Sequence, residues 1–116
     1  MPFDGTEFEK AAAEKARDLA ILRRALAGLK KRDGWVKGHM GVLGQHCAVG
    51  WMAKASGSYT YASLSILVER LLVPALPPLD SGTYHTVTAF NDAPHRRKQD
   101  IVRLFEEAIR LREAKP

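Results

Sequence analysis

Residues 86–109, TVTAFNDAPHRRKQDIVRLFEEAI, decide how the rest of the chain is read. A short apolar run ends in Phe90-Asn91-Asp92, turns through Ala93-Pro94 and feeds an amphipathic helix over about 96–114. There Ile101, Leu104, Phe105, Ala108, Ile109 and Leu111 recur at the spacing of one helical face. Asp100–Arg103, Arg103–Glu107 and Glu106–Arg110 stand at i,i+3 or i,i+4 on the outer side, each pair contributing ~0.3 kcal/mol. Residues 83–91 are ambiguous. Thr86-Val87-Thr88 favours a strand by propensity, whereas Tyr84, Val87 and Phe90 repeat every third residue. A lone strand in a helical chain leaves backbone groups unpaired, so a helix is expected, with an irregular or extended segment at 83–90 as the alternative.

The remainder also reads as helical. Phe8, Ala12, Ala16, Leu19, Leu22, Leu26 and Leu29 share a face of a long helix over 6–32. Thr6 followed by Glu9 fits a capping box at its start, and Gly34 fits a left-handed stop after its end. Acidic residues come early in it (Glu7, Glu9, Glu14) and basic residues late (Arg23, Arg24, Lys30, Lys31, Arg32), which complements the helix dipole. Residues 33–46, DGWVKGHMGVLGQH, have no sustained period and read as a connecting loop that packs Trp35, Val36 and Leu43 onto the helices. HCAVGWMAKAS, 46–56, reads as a short buried helix closed by Gly57. The next helix, capped by Ser58 or Thr60, runs through Leu64, Leu67, Val68, Leu71 and Leu72 and ends at Pro74. PALPPLDSG, 74–82, is a stiff linker. The expectation is an all-α, single-domain bundle of four to five helices.

The 116 residues suit one modest core. No apolar run approaches the ~20 residues that span a bilayer, and MPFDGTEFEK lacks the basic-then-apolar layout of a signal peptide. A cytoplasmic protein without membrane contact is expected. One cysteine excludes an intramolecular disulfide and multi-cysteine zinc modules. The net charge of +5 permits an acidic or nucleic-acid partner. The basic residues are dispersed, with runs only at Lys30-Lys31-Arg32 and His95-Arg96-Arg97-Lys98.

CAVGWMAKA, TVTAFNDAPHR and DIVRLFEEAIRLRE together resemble a small uncharacterised domain family of bacteria and their phages. That family shows a Cys-Ala-x-Gly helix and an aromatic-Asn-Asp-x-Pro turn before a C-terminal helix. Here the motifs are Cys47-Ala48-Val49-Gly50 and Phe90-Asn91-Asp92-Ala93-Pro94, and the likeness covers roughly residues 18–112. It implies one domain, encoded by a phage or other mobile element, and no known activity. Where relatives place Thr three residues before an acidic residue, this chain has Arg97 before Asp100, and its Gly34–Gln45 loop is shorter than theirs.

Three constellations bear on function. Cys47, His85 or His95, and Asn91 or Asp92 follow the order of papain-like hydrolases, and a helix N-terminus lowers a thiol pKa. The apolar run Ala48-Val49-Gly50-Trp51-Met52 around the cysteine suits a packed structural thiol instead, which is the expectation. His39, His46, Cys47, His85 and His95 include no i,i+4 pair, so neither a metal nor another cofactor is expected. Asn91 or Asp92 is expected to cap the last helix, with Phe90 as a hydrophobic staple. Finally, His95, Arg96, Arg97 and Lys98 put positive charge at a helix start, against the dipole. With Lys30, Lys31 and Arg32 they form the candidate contact surface for a host macromolecule, a protein in preference to nucleic acid. The readings are thus a small interaction or regulatory protein and, as the alternative, a cysteine-dependent hydrolase or transferase.

Overall fold

The computed structural model describes residues 5–39, 41–42, 45–77 and 83–116. Among them are five α-helices: α1 (Gly5–Leu29), α2 (Ala48–Ser56), α3 (Tyr61–Leu71), α4 (Tyr84–Asp92) and α5 (Lys98–Ala114). A two-residue hairpin, β1 (Gly41–Val42) and β2 (Gln45–His46), interrupts the 33–46 loop, and a 3-10 turn, Val73–Ala75, follows α3. The all-α expectation holds, and 84–92 is helix: Thr83 starts it, its N–H donating to Thr86 Oγ1 at 3.0 Å. The linker expected at 74–82 begins with the 3-10 turn, and its residues 78–82 lie outside the described ones. So do Met40, Leu43 and Gly44 of the loop.

α1 lies antiparallel along α5 and beside α2. The Lys98 ammonium donates to the Lys31 carbonyl at one end, and Lys15 donates to the Glu113 carbonyl at the other, 2.8 Å. Leu22, Ala25 and Leu29 of α1 are fully buried against Ile101, Leu104, Phe105 and Ala108 of α5 and Ala48, Val49 and Met52 of α2. The stripe expected from Phe8 onward is buried only from Leu22: Phe8 is 69% exposed, and Ala12 and Ala16 face solvent. Helix length is the reason. The 17 residues of α5 span about 25 Å and the 25 of α1 about 37 Å, so α5 cannot run beside the whole of α1.

Helix ends follow local chemistry. Thr60 Oγ1 accepts from the Ser63 N–H at the start of α3, 3.3 Å, and Gly57 closes α2 with φ 74°, a conformation that suits glycine. α1 already includes Gly5, so Thr6 sits inside the helix and not at its N-cap. α1 ends at Leu29, and Gly34 does not close it with a positive φ. Gly34 is instead a site of close approach, where a Cβ would stand 2.3 Å from the Gly28 carbonyl oxygen. Its own carbonyl accepts from the His46 N–H at 3.1 Å and from Trp51 Nε1 at 2.6 Å. A Cβ at Gly28 would lie 2.2 Å from the Trp51 ring, which that indole bond holds in place. Gly28→Ala is therefore expected to lower the unfolding free energy by about 2 kcal/mol in a urea melt, since the ring has nowhere to retreat.

α5 starts differently from expectation. α4 runs through Asp92 and an intervening turn separates it from Lys98, so neither Asn91 nor Asp92 caps α5. Asp100 does, its Oδ2 accepting from the Arg97 N–H at 2.9 Å. Within α5 the pair that forms is Glu107–Arg110, and Glu113 pairs with Arg23 of α1; none of the three expected pairs does among the described residues.

Candidate functional site

Cys47 occupies the N-cap of α2, one residue before the helix, with 5% of its surface exposed. The Gly50 N–H donates to its Sγ at 3.3 Å. Burial pushes the thiol above its ordinary pKa and outweighs the hydrogen bonds that favour the thiolate. Its sequence neighbour His46 sets its ring edge-on to Trp51, centroids 4.7 Å apart. His85 is exposed on α4 and bonded to the Tyr61 hydroxyl at 3.2 Å. His95 is exposed in the turn after α4. Among the described residues no three His, Cys, Asp or Glu side chains gather as a metal site. A native-state maleimide assay on Cys47 is expected to show negligible labelling at neutral pH and full labelling in denaturant; rapid native labelling would contradict the buried thiol.

The Asn-Asp corner is built inward. Asn91 is 1% exposed and uses both ends of its amide. Its Oδ1 accepts from Trp35 Nε1 at 2.8 Å and from the Ala48 N–H at 3.0 Å. Its Nδ2 donates to the Val36 carbonyl at 3.2 Å and to Asp92 Oδ1 at 2.9 Å. That same Asp92 oxygen accepts from the Gly38 N–H at 2.9 Å. Lys37 adds a donation to the Ala93 carbonyl, 2.9 Å. One buried side chain thus fastens the end of α4 to the start of α2 and to the loop after α1. The corner is a clasp, and its polar groups are already used.

The basic runs do meet. The contact between Lys98 and the Lys31 carbonyl joins segments 67 residues apart, and Lys30, Arg97 and Lys98 line an open cleft of about 570 Å³ with Gln99, Val102 and Glu106. Lys30, Lys31, Arg32, His95 and Arg97 are exposed. Arg96 is diverted. Its Nε donates to the Phe90 carbonyl at 2.7 Å and its guanidinium lies 3.6 Å from the centre of the Phe90 ring, a cation–π contact.

One ionic cluster escaped the sequence reading. Asp18 of α1 is 2% exposed and takes a two-pronged contact from Arg70 of α3, at 2.5 and 2.8 Å, and a third from Arg112 of α5, at 2.8 Å. Its place in the row Asp18, Leu22, Ala25, Leu29 on the inward face of α1 was the available signal. Burial raises the Asp18 pKa, but the two guanidinium groups together outweigh it and hold the carboxyl below the ordinary aspartate range.

Fold and site therefore define a small helical protein with a buried thiol, an internal polar clasp and a basic end. The sequence matches the family of unknown function DUF6197 over residues 13–111, most of its length, and the chain belongs to that family. No curated protein and no solved structure matches it. Among the described residues no helix is long and apolar enough to cross a membrane.

Proposed function

We propose that this chain is a small interaction protein, acting in the cytoplasm, whose basic end binds an acidic surface of a macromolecular partner. Lys30, Lys31 and Arg32 just after α1, with His95 and Arg97 from the turn before α5 and Lys98 at its start, supply the contact; Arg96 orders the turn beneath them. The observation that carries the reading is the Lys98–Lys31 contact, which turns two short basic runs into one patch. A dispersed charge of the same size would offer no such footprint. A protein partner is favoured over nucleic acid because the residues lining the adjoining cleft include no aromatic ring on which a base would stack. The resemblance to a bacterial and phage family supports the further reading of a mobile-element product that engages a host macromolecule.

The test is binding of fluorescent poly-glutamate and of a single-stranded oligonucleotide at about 50 and 200 mM salt, where neutralised charges give a steep salt slope. Poly-glutamate is expected to bind at the lower salt and to be lost on reversing Lys30, Lys31 and Arg97 to Glu. Tighter oligonucleotide binding would reassign the partner to nucleic acid, and binding of neither probe would overturn the proposal.

A further inference from the structure

A second positively charged feature runs along the side of α1 that borders α2. Lys10, Arg17, Arg24 and Lys31 recur every seventh residue and all are exposed. Seven residues are almost two turns, so Lys10, Arg17 and Arg24 repeat at about 10.5 Å along one side of the helix, and Lys31 follows just past its end. Arg17, Arg24 and Lys31 edge a trough between α1 and α2, and Lys54 stands on its far bank. The trough consists of two cavities of about 400 and 410 Å³ on either side of Arg24, whose Nη1 donates across it to the Ala55 carbonyl at 3.2 Å. Its floor is apolar and shallow: Ala16, Ala20, Ile21, Ala27, Ala55 and the Trp51 ring tucked against Gly28. No carboxylate lines it. Among the described residues Arg17, Arg24, Lys31 and Lys54 carry no ion pair.

We infer that this trough docks an acidic amphipathic helix of a protein partner. The inference rests on the reading that the chain binds acidic proteins, and it assigns that partner a form and a second seat that shares only Lys31 with the basic end. Small side chains on either side of the Arg24 bridge leave two apolar seats for side chains of a second helix, which rests over that bridge. A partner helix with carboxylates every seventh residue repeats at the same ~10.5 Å as the cations. Its small apolar residues would fill the floor between them. Nucleic acid fits less well, because a phosphate chain has no use for an apolar floor and the Trp51 ring, 5% exposed, cannot stack on a base.

The probe is a labelled 21-residue Ala/Leu peptide with Glu every seventh residue and its neighbouring turn, titrated against the full chain. A charge-matched scrambled peptide and a single-stranded oligonucleotide serve as controls. The helical peptide is expected to bind at least about tenfold tighter than the scrambled one, a difference of ~1.4 kcal/mol. Two variants read the two components. R17E/K54E reverses the banks, and Ala27→Trp fills the exposed floor without touching charge; each is expected to weaken the helical peptide about tenfold or more. Reversing Lys30 and Arg97, which is expected to weaken poly-glutamate binding at the basic end while keeping the shared Lys31, is expected to leave peptide affinity within about twofold, so the two seats fail separately. Thermal melts of each variant confirm folding, and Ala27→Trp, a change at an exposed helix position, keeps the test standing if charge reversal unfolds the chain. Equal binding of the scrambled peptide, insensitivity to Ala27→Trp, or tighter oligonucleotide binding would each overturn the inference.

Discussion

Asn91→Ala is expected to lower the free energy of unfolding by about 3 kcal/mol, read as a shifted urea midpoint at unchanged slope. The side chain accepts from Trp35 Nε1 and from the Ala48 N–H, and it donates to the Val36 carbonyl. Trp35 is half-buried and recovers part of its loss to water; the fully buried Ala48 amide does not. An unmet buried donor costs about 1–3 kcal/mol, and truncation adds a cavity. N91D is the informative companion. It keeps both accepted bonds but sets a second carboxylate against Asp92 and removes the donor that Val36 needs. Its defect is expected to shrink as pH falls toward about 4, when the new carboxyl regains a proton to donate. A loss below about 1 kcal/mol for Asn91→Ala would show that the clasp is dispensable.

Asp18→Ala is the second large effect, again about 3 kcal/mol. It leaves Arg112, whose side chain is only 14% exposed, without its carboxylate; Arg70, at 41%, loses less because water reaches it. Removing one partner of a buried ionic group usually costs more than the intact group contributes. The pH dependence has a fixed sign. A carboxyl held below its unfolded value binds fewer protons when folded, so its contribution is complete above the unfolded aspartate range and disappears as pH falls through the depressed folded value. Wild-type stability is expected to drop below about pH 4, and Asp18→Ala is expected to flatten that part of the curve. Identical acid profiles for the two proteins would remove Asp18 as the cause.

The helices were legible because periodicity is local. α5 and α3 appear within a residue or two of where their apolar stripes and caps put them, and Thr60 and Gly57 act as their chemistry predicts. α1 was legible as a helix but not in its burial, because which turns are covered depends on the length of α5, a property of another segment. The corner at Asn91-Asp92 looks like a cap in sequence for the same reason. A cap is the nearest use for those groups, whereas the partners they have, Trp35, Gly38 and Ala48, lie 43 to 56 residues away. The thiol at Cys47 was placed near its helix start by sequence, and its expected packed role agrees with the burial observed. Asp18 is not legible from periodicity, which ranks helix positions by apolarity alone, and the arginines that make the site tenable come from two other helices.

The two indoles give the molecule an internal optical reporter. Trp35 and Trp51 are its only tryptophans, and each spends its ring N–H on the same neighbourhood, one on Asn91 and the other on the backbone at Gly34. Loosening of that region is expected to change the emission of both indoles, so its opening can be followed without any added label.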